Sequence, residues 1–401
     1  MLLNVRFVRA TLSSSAVALA IFTLAGAADA ASGVHVLANF HGSDGAYPTG
    51  GAPTLDKSGN VYLPTYDGGP DFLGDVVMIS PGQDPAVLHN FNGADGTAPI
   101  GGVLLSKQSI REIFGTTCEG GANGYGVLYA LHLSGKETVL HSFDFDTDGA
   151  CPIDAPVRDP VTSAFYGVAN YGGAGDGSGY GTVWKLSPEG VLTVLHTFGF
   201  DDGGYPAARL IRGKDGTLYG VTSEGGVYGY GTIFAISADG AFATLHSFDN
   251  NNDGADPQNF LTQDKDGNLY GTAYRGGTDP DGAGTVYKLE PDGAFTVLHS
   301  FGRDSGGAYP ESNLLLLNEK LYGSTSDYGN QTCRCGTIFE VGLDGSFAVL
   351  HTLGPDAARP FAGLTRGPHQ YLYGDTKYGG TDGYGAVFRI RPQSLSSARA
   401  R

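Results

Sequence analysis

The densest run of metal-type ligands in this 401-residue chain is Asp144-Phe145-Asp146-Thr147-Asp148-Gly149. Three carboxylates stand at alternate positions ahead of a glycine. That is how a calcium loop opens, with oxygens converging on one ion and glycine permitting the sharp turn. Asp249-Asn250-Asn251-Asn252-Asp253-Gly254 is a softer copy, with Asp249, Asn251 and Asp253 at the ligand positions. Both lack a bidentate glutamate at the twelfth position, where Ala155 and Phe260 stand. Calcium is the one cofactor these loops suggest, and the missing ligand weighs against it. The competing reading is a pair of Asx-rich turns held by their own side-chain hydrogen bonds.

Histidine supplies a second set of reactive groups. His89, His141, His196, His246, His299 and His351 each occupy the same place in a Val-Leu-His-x-Phe box or a close variant. Strand alternation would put each imidazole on the same face as the Val and Phe of its box. Six equivalent positions radiate rather than converge. They are either buried imidazoles bridging strands and loops or, singly, a ligand or base. A third set is aromatic: Tyr47, Tyr125, Tyr205, Tyr230, Tyr309 and Tyr378. Tyrosine faces near carboxylates and amides suit sugars or peptides. The same rings also recur in register, as packing residues would.

The elements that position these residues repeat. The last residues of successive boxes, from Phe40 to Leu353, lie 51, 52, 55, 50, 53 and 52 residues apart. A period near 50 marks stacked supersecondary units. Each unit has an Asp-Gly-Ala-x-Pro phrase with an apolar run (A), a Leu-Tyr-Gly-Thr box (B), a Tyr-Gly-Thr-Val-Phe box (C) and the His box (D). All four are short, β-branched or aromatic, and bounded by Gly, Asp, Asn and Pro, which reads as strands. The four come seven times from Pro48, except that the seventh unit ends without D. Val36–Phe40 is a D box with no unit in front of it. A ring of blades explains the split: the N-terminal strand completes the last blade, and closure removes exposed sheet edges. The fold class expected is all-β, a seven-bladed β-propeller of four-stranded antiparallel blades. A solenoid or a pair of sandwiches explains the split less well. Alternation then puts the long D→A and B→C loops on one face and tight turns on the other.

That unit resembles the Gloeo/Verruco, or GloVer, tandem repeat of exported bacterial proteins, from about Val36 to Ile390. Blade 1 matches least: Val61–Tyr66 lacks the Tyr-Gly pair. The resemblance implies no particular reaction. Asp266–Tyr270 is also similar to blades of streptogramin-lyase-like and NHL propellers, which bears on fold more than on activity.

Residues 1–30 read as a secretion signal, with Arg6 and Arg9 ahead of the apolar Ser15–Gly26 and a small-x-small site at Ala28–Ala30. Residues 31–391 are the propeller, and 392–401 a disordered tail. Cleavage leaves 22 basic and 40 acidic side chains, a formal charge of −18. Nucleic acid, an anionic membrane surface and membrane insertion of the mature chain are excluded as partners by that balance and by the lack of any further apolar span. A secreted or periplasmic monomer is expected.

Cys118 and Cys151 fall in same-face loops of neighbouring blades and are expected to form a disulfide. Cys333 and Cys335 either close a short ring or stay free. Residues that break the repeat on the loop face are His41, Glu119, Glu224, Arg275, Arg303 and Lys377. No G-x-S-x-G or H-E-x-x-H motif accompanies them. Two functions remain: a non-catalytic propeller binding an extracellular glycan or protein through the loop face, or a lyase or hydrolase at the central funnel. Convergence of His41, Glu119 and Arg275 at the axis would mark the enzyme.

Overall fold

A computed structural model describes residues 33–48, 50–106, 112–175 and 179–396. The secretion segment lies outside them. Seven antiparallel sheets follow one another along the chain. In blade 5, strands A to D are Thr262–Gln263, Leu269–Ala273, Thr285–Leu289 and Phe295–Ser300. Blade 7 takes Thr365–Arg366, Leu372–Thr376 and Ala386–Ile390 from the C-terminal end and His35–Asn39 from the N-terminal end. The closing pair is antiparallel, with His35 opposite Arg389 and Asn39 opposite Ala386. The protein is a seven-bladed propeller, as the split repeat predicts.

The core is divided among the seams between blades. Seven apolar clusters lie one per seam, and the one holding Ala38, Phe40, Val61, Val77 and Tyr373 joins blade 7 to blade 1. The box phenylalanine is the recurrent wedge. Phe91, Phe143, Phe198, Phe248 and Phe301 each meet the aromatic of the next blade's strand C, respectively Tyr129, Trp184, Phe234, Tyr287 and Phe339, with centroids 5.1 to 5.4 Å apart. All five wedges are buried. Each is worth roughly 1.5–3 kcal/mol in apolar burial.

The strand C aromatic explains the glycine of the Leu-Tyr-Gly box. A Cβ on Gly220 would stand 2.4 Å from Phe234 Cζ, directly across the pair. On the turn face, Asp264 accepts the N–H groups of Asp266 and Asn268 on one oxygen and the Tyr270 hydroxyl on the other. The box tyrosine thus ties strand B back to its own A→B turn.

Two expectations need correcting. Every D strand carries a β-bulge at the Leu before the His position: Val194 sits opposite Trp184 while His196 sits opposite Val183. The extra residue puts Val and His on opposite faces; simple alternation had put them together. The tail also begins in order, as a helical turn at Gln393–Ser396 whose Leu395 is buried in the blade 6–7 seam. Residues 397–401 lie outside the described residues.

Candidate binding site

The loop face is built on a latch that recurs in all seven blades. The residue before each repeat proline is left-handed: Tyr47, Ala98, Cys151, Tyr205, Asp256, Tyr309 and Arg359 have φ between 52° and 59°. A side chain in this region is strained, and hydrogen bonding over-determines it. Each N–H donates to a carbonyl of the preceding blade, at Tyr384, Leu73, Tyr125, Tyr180, Tyr230, Ala283 and Cys335 in turn. In five blades the residue's own carbonyl accepts an N–H from the end of strand B. The proline then packs on the preceding blade: a Cβ on Gly231 would lie 2.7 Å from Pro257 Cδ. Backbone geometry is constant around the ring, and the side chain held there differs from blade to blade.

Inside this ring lies an axial cavity of about 430 Å³, lined from all seven blades. Its lining comes from the starts of the A segments and the ends of the B strands, so it opens on the loop face. Ile100, Ile153 and Ala207 supply apolar surface on one side, with Asp154, Asn170 and Ser223 among them, and Gln258, Asn259, Glu311, Asn313 and Lys377 line the other, with Phe260 and Phe361 beside them. Arg209, half-buried, lies 3.8 Å over the Phe260 ring. Asp154 takes the N–H groups of Gly102 and Ala155 on one carboxylate oxygen, at 2.7 and 2.6 Å. Burial pushes the Glu311 carboxyl up to about 7, against a hydrogen bond from Ser326 and the nearby charges of Lys377 and Arg359. Its Oε2 is buried with no hydrogen-bond partner.

The residues singled out from sequence fall elsewhere. Tyr47 packs edge-on to Tyr378 and Tyr384, Tyr205 to Tyr180, Tyr309 against Tyr274, and Tyr125 against Phe145. Tyr230 is 44% exposed. These six tyrosines are spread around the ring, and none lines the axial cavity.

The calcium-type loops are turns closed by the repeat's own aspartate. Asp148 Oδ1 accepts the Asp144 N–H and Oδ2 meets His141 Nε2 at 2.6 Å, while Asp144 Oδ1 accepts the Asp146 N–H. Asp253 does the same with Asp249 N–H and His246, and Asp249 Oδ1 accepts the Asn251 N–H. The carboxylates hold the loop instead of converging. Among the described residues no group of three or more His, Cys, Asp or Glu is arranged to hold a metal ion. The histidine column has the same explanation: His89 and His196 also pair with the following loop aspartate, Asp95 and Asp202. His196, His246 and His299 stack flat on Phe242, Phe295 and Phe347 of the next blade.

Of the off-repeat residues, only Lys377 lines the cavity. His41 pairs with Asp382 and Arg275 with Asp256, both at the exposed surface, and Glu119 is bridged through its backbone to Thr97. The triad that would mark an enzyme does not form at the axis. Sequence reasoning missed Gln258, Asn259, Glu311 and Asn313. Their signal lay in the one to three residues after each repeat proline, where the units differ most. Cys118 and Cys151 form the inter-blade disulfide, and Cys333 and Cys335 form a second one.

Fold and cavity together define a class, the single-ring propeller with an axial cavity on its loop face. The sequence profile of the Gloeobacter/Verrucomicrobia repeat matches residues 13–226 and 207–399, and the chain belongs to that family. No curated protein matches it in sequence. Among solved structures it is similar to the extracellular domain of a one-component system from B. thetaiotaomicron, at 9% identity and a TM-score of 0.56, covering 88% of this chain and 39% of that one. It is also similar to the extracellular domain of a hybrid two-component system of that organism, at 11% identity and 0.56, covering 89% and 39%. A gluconolactonase from Xanthomonas campestris aligns at 15% identity and a TM-score of 0.44, over 70% and 84%. The likeness is one of fold. No helix of the described residues is long and apolar enough to cross a membrane.

Proposed function

We propose that this protein is exported and binds an extracellular carbohydrate in the axial cavity of its loop face, without transforming it. One observation carries the reading: the cavity combines apolar surface from Ile100, Ile153 and Ala207 with a concentration of amides and Glu311 opposite them. A sugar ring has the same division, with C–H groups on its faces and hydroxyls at its edge. Amide and carboxylate groups at a largely preformed concave site give the orientation such a ligand needs. The extracellular-domain neighbours share the fold and support an extracellular setting.

The test is a glycan array probed with the mature chain, with and without calcium, followed by calorimetry on any hit. Binding that weakens about tenfold or more in Glu311→Gln or Asn259→Ala, the usual cost of one lost polar contact, supports the reading. Hits unaffected by both substitutions, or binding to a protein partner alone, overturn it.

A further inference from the structure

The cations of the loop face are not spread around it. In blades 1 to 4 the D→A connections up to the repeat proline and the B→C loops contain no Lys or Arg, while Asp44, Asp67, Asp95, Glu119 and Asp202 lie among them; Arg209, three residues past the blade 4 proline, reaches over Phe260 of blade 5. In blades 5 to 7 the same loops carry Arg275, Arg303, Arg334, Arg359 and Lys377. These five come from sequence positions over a hundred residues apart, in a chain whose net charge is −17. The ring gathers them into one sector.

Two of the five are neutralised within the sector: Arg275 by Asp256 and Arg334 by Asp327, at 2.7 and 2.9 Å. Arg303, Arg359 and Lys377 make no ion pair among the described residues. Each is held against a ring instead: Arg303 over Tyr309, Arg359 over Tyr378 and Lys377 over Phe361, at 5.8, 5.8 and 4.8 Å. Stacking holds a cation near a ring while leaving donors for a ligand, although Arg303 also hydrogen-bonds the Tyr309 hydroxyl. Lys377 and Phe361 also line the axial cavity. A ligand seated there meets Lys377 on the blade 6–7 side, beside the Glu311 carboxyl.

We infer that the carbohydrate taken by this face is acidic, a uronate-bearing oligosaccharide whose carboxylate is received by Arg359 and Lys377 at the cavity rim. The inference rests on the carbohydrate reading above and adds the chemical class. A guanidinium matches a carboxylate with two parallel hydrogen bonds, and an ammonium adds a point charge beside it. Arg303 extends the field along the rim, where the next charged residue of an oligomer falls.

The experiment is calorimetry on the full mature chain with its disulfides intact, using oligogalacturonides and neutral cello-oligosaccharides as probes at low and high salt. Expected is oligogalacturonide binding that weakens roughly tenfold between the two salts, because exposed charge pairs are screened. The double variant Arg359→Gln/Lys377→Gln loses at least as much, with an unchanged melting temperature. Lys214→Gln, in an A→B turn of the opposite face, binds as the native chain does. Neutral oligomers bound as tightly as acidic ones, or a double variant that binds normally, overturn the acidic class and leave the carbohydrate reading standing. Binding of neither probe overturns both.

Discussion

Each repeat aspartate has two jobs, and its two oxygens show them. In the Asp253 loop one oxygen caps the backbone and the other holds His246, both largely shielded from water. Asp253→Ala is expected to cost about 2–3 kcal/mol, the range for hydrogen bonds to a charged group, read by urea denaturation. Because these oxygens are already engaged, EDTA should leave the melting temperature where it was; a drop would show that a bound ion stabilises the folded state. Other carboxyls depart from the repeat at a cost that depends on pH. Asp75 replaces the strand C threonine; Thr232 and Thr337 at that position pair with Thr222 and Thr325 at 2.8 and 2.9 Å. Asp75 is fully buried, both its oxygens lack a partner, and burial raises its pKa to about 7. Glu137 stands where Phe242, Phe295 and Phe347 stack on the preceding histidine, and burial raises it to about 7 as well. A carboxyl whose folded pKa is raised keeps its proton longer in the folded state. Its contribution is complete below the unfolded value near 4 and is lost as pH climbs through about 7. Stability should therefore fall between about pH 4 and pH 8. Asp75→Thr should flatten that fall and add about 2–4 kcal/mol at pH 8. Glu137→Phe should add less, about 1–2 kcal/mol, because that site is partly solvated. Thermal melts across pH check both; an unchanged slope in Asp75→Thr would show that the carboxyl is paired in solution.

At the scale of the element, the blade was legible because each box of the repeat answers one packing need. The Tyr-Gly-Thr glycine clears the next blade's proline, the Leu-Tyr-Gly glycine clears the ring across the sheet, and the box phenylalanine fills the seam. Gly220→Ala, which drives a Cβ into the Phe234 ring, is expected to cost at least about 1–3 kcal/mol as an overpacking change, measurable by chemical denaturation. The D-strand bulge was not legible. Val-Leu-His alternates plausibly on paper, and the extra residue shows only when the strand is set against its partner. The cavity-lining residues were not legible. The tyrosines recur because they pack at the latch. The cavity is instead lined by residues that no motif marks, brought together from blades about 50 residues apart. Between elements, the Cys118–Cys151 bond spans 33 positions and staples blade 2 to blade 3. On the chain-entropy account, Cys118→Ser/Cys151→Ser is expected to cost roughly 3–4 kcal/mol. Non-reducing peptide maps should recover Cys118 joined to Cys151 and Cys333 joined to Cys335, with no crossing between the pairs.

At the scale of the molecule, the ring makes every seam internal and every sheet edge short. It therefore depends on the N-terminal strand. Deleting residues 31–40 would strip blade 7 of its outer strand, remove Phe40 from the last seam and leave Ala386–Ile390 as an unpaired edge. The expected result is a broadened thermal transition and aggregation, since an open hydrophobic edge recruits other chains. A sharp, reversible melt from the deleted protein would mean that six complete blades and one partial blade suffice.

That same strand sets the order in which the chain can finish folding. It is the first part of the propeller to be synthesised and, paired His35 to Arg389, it waits for a partner 354 residues further along. Six blades can assemble from neighbouring contacts while the seventh stays open, because a pairing so distant in sequence carries the full entropy of closing the whole chain. Until the last blade is made, the first strand has no partner and the protein stays an open row of blades.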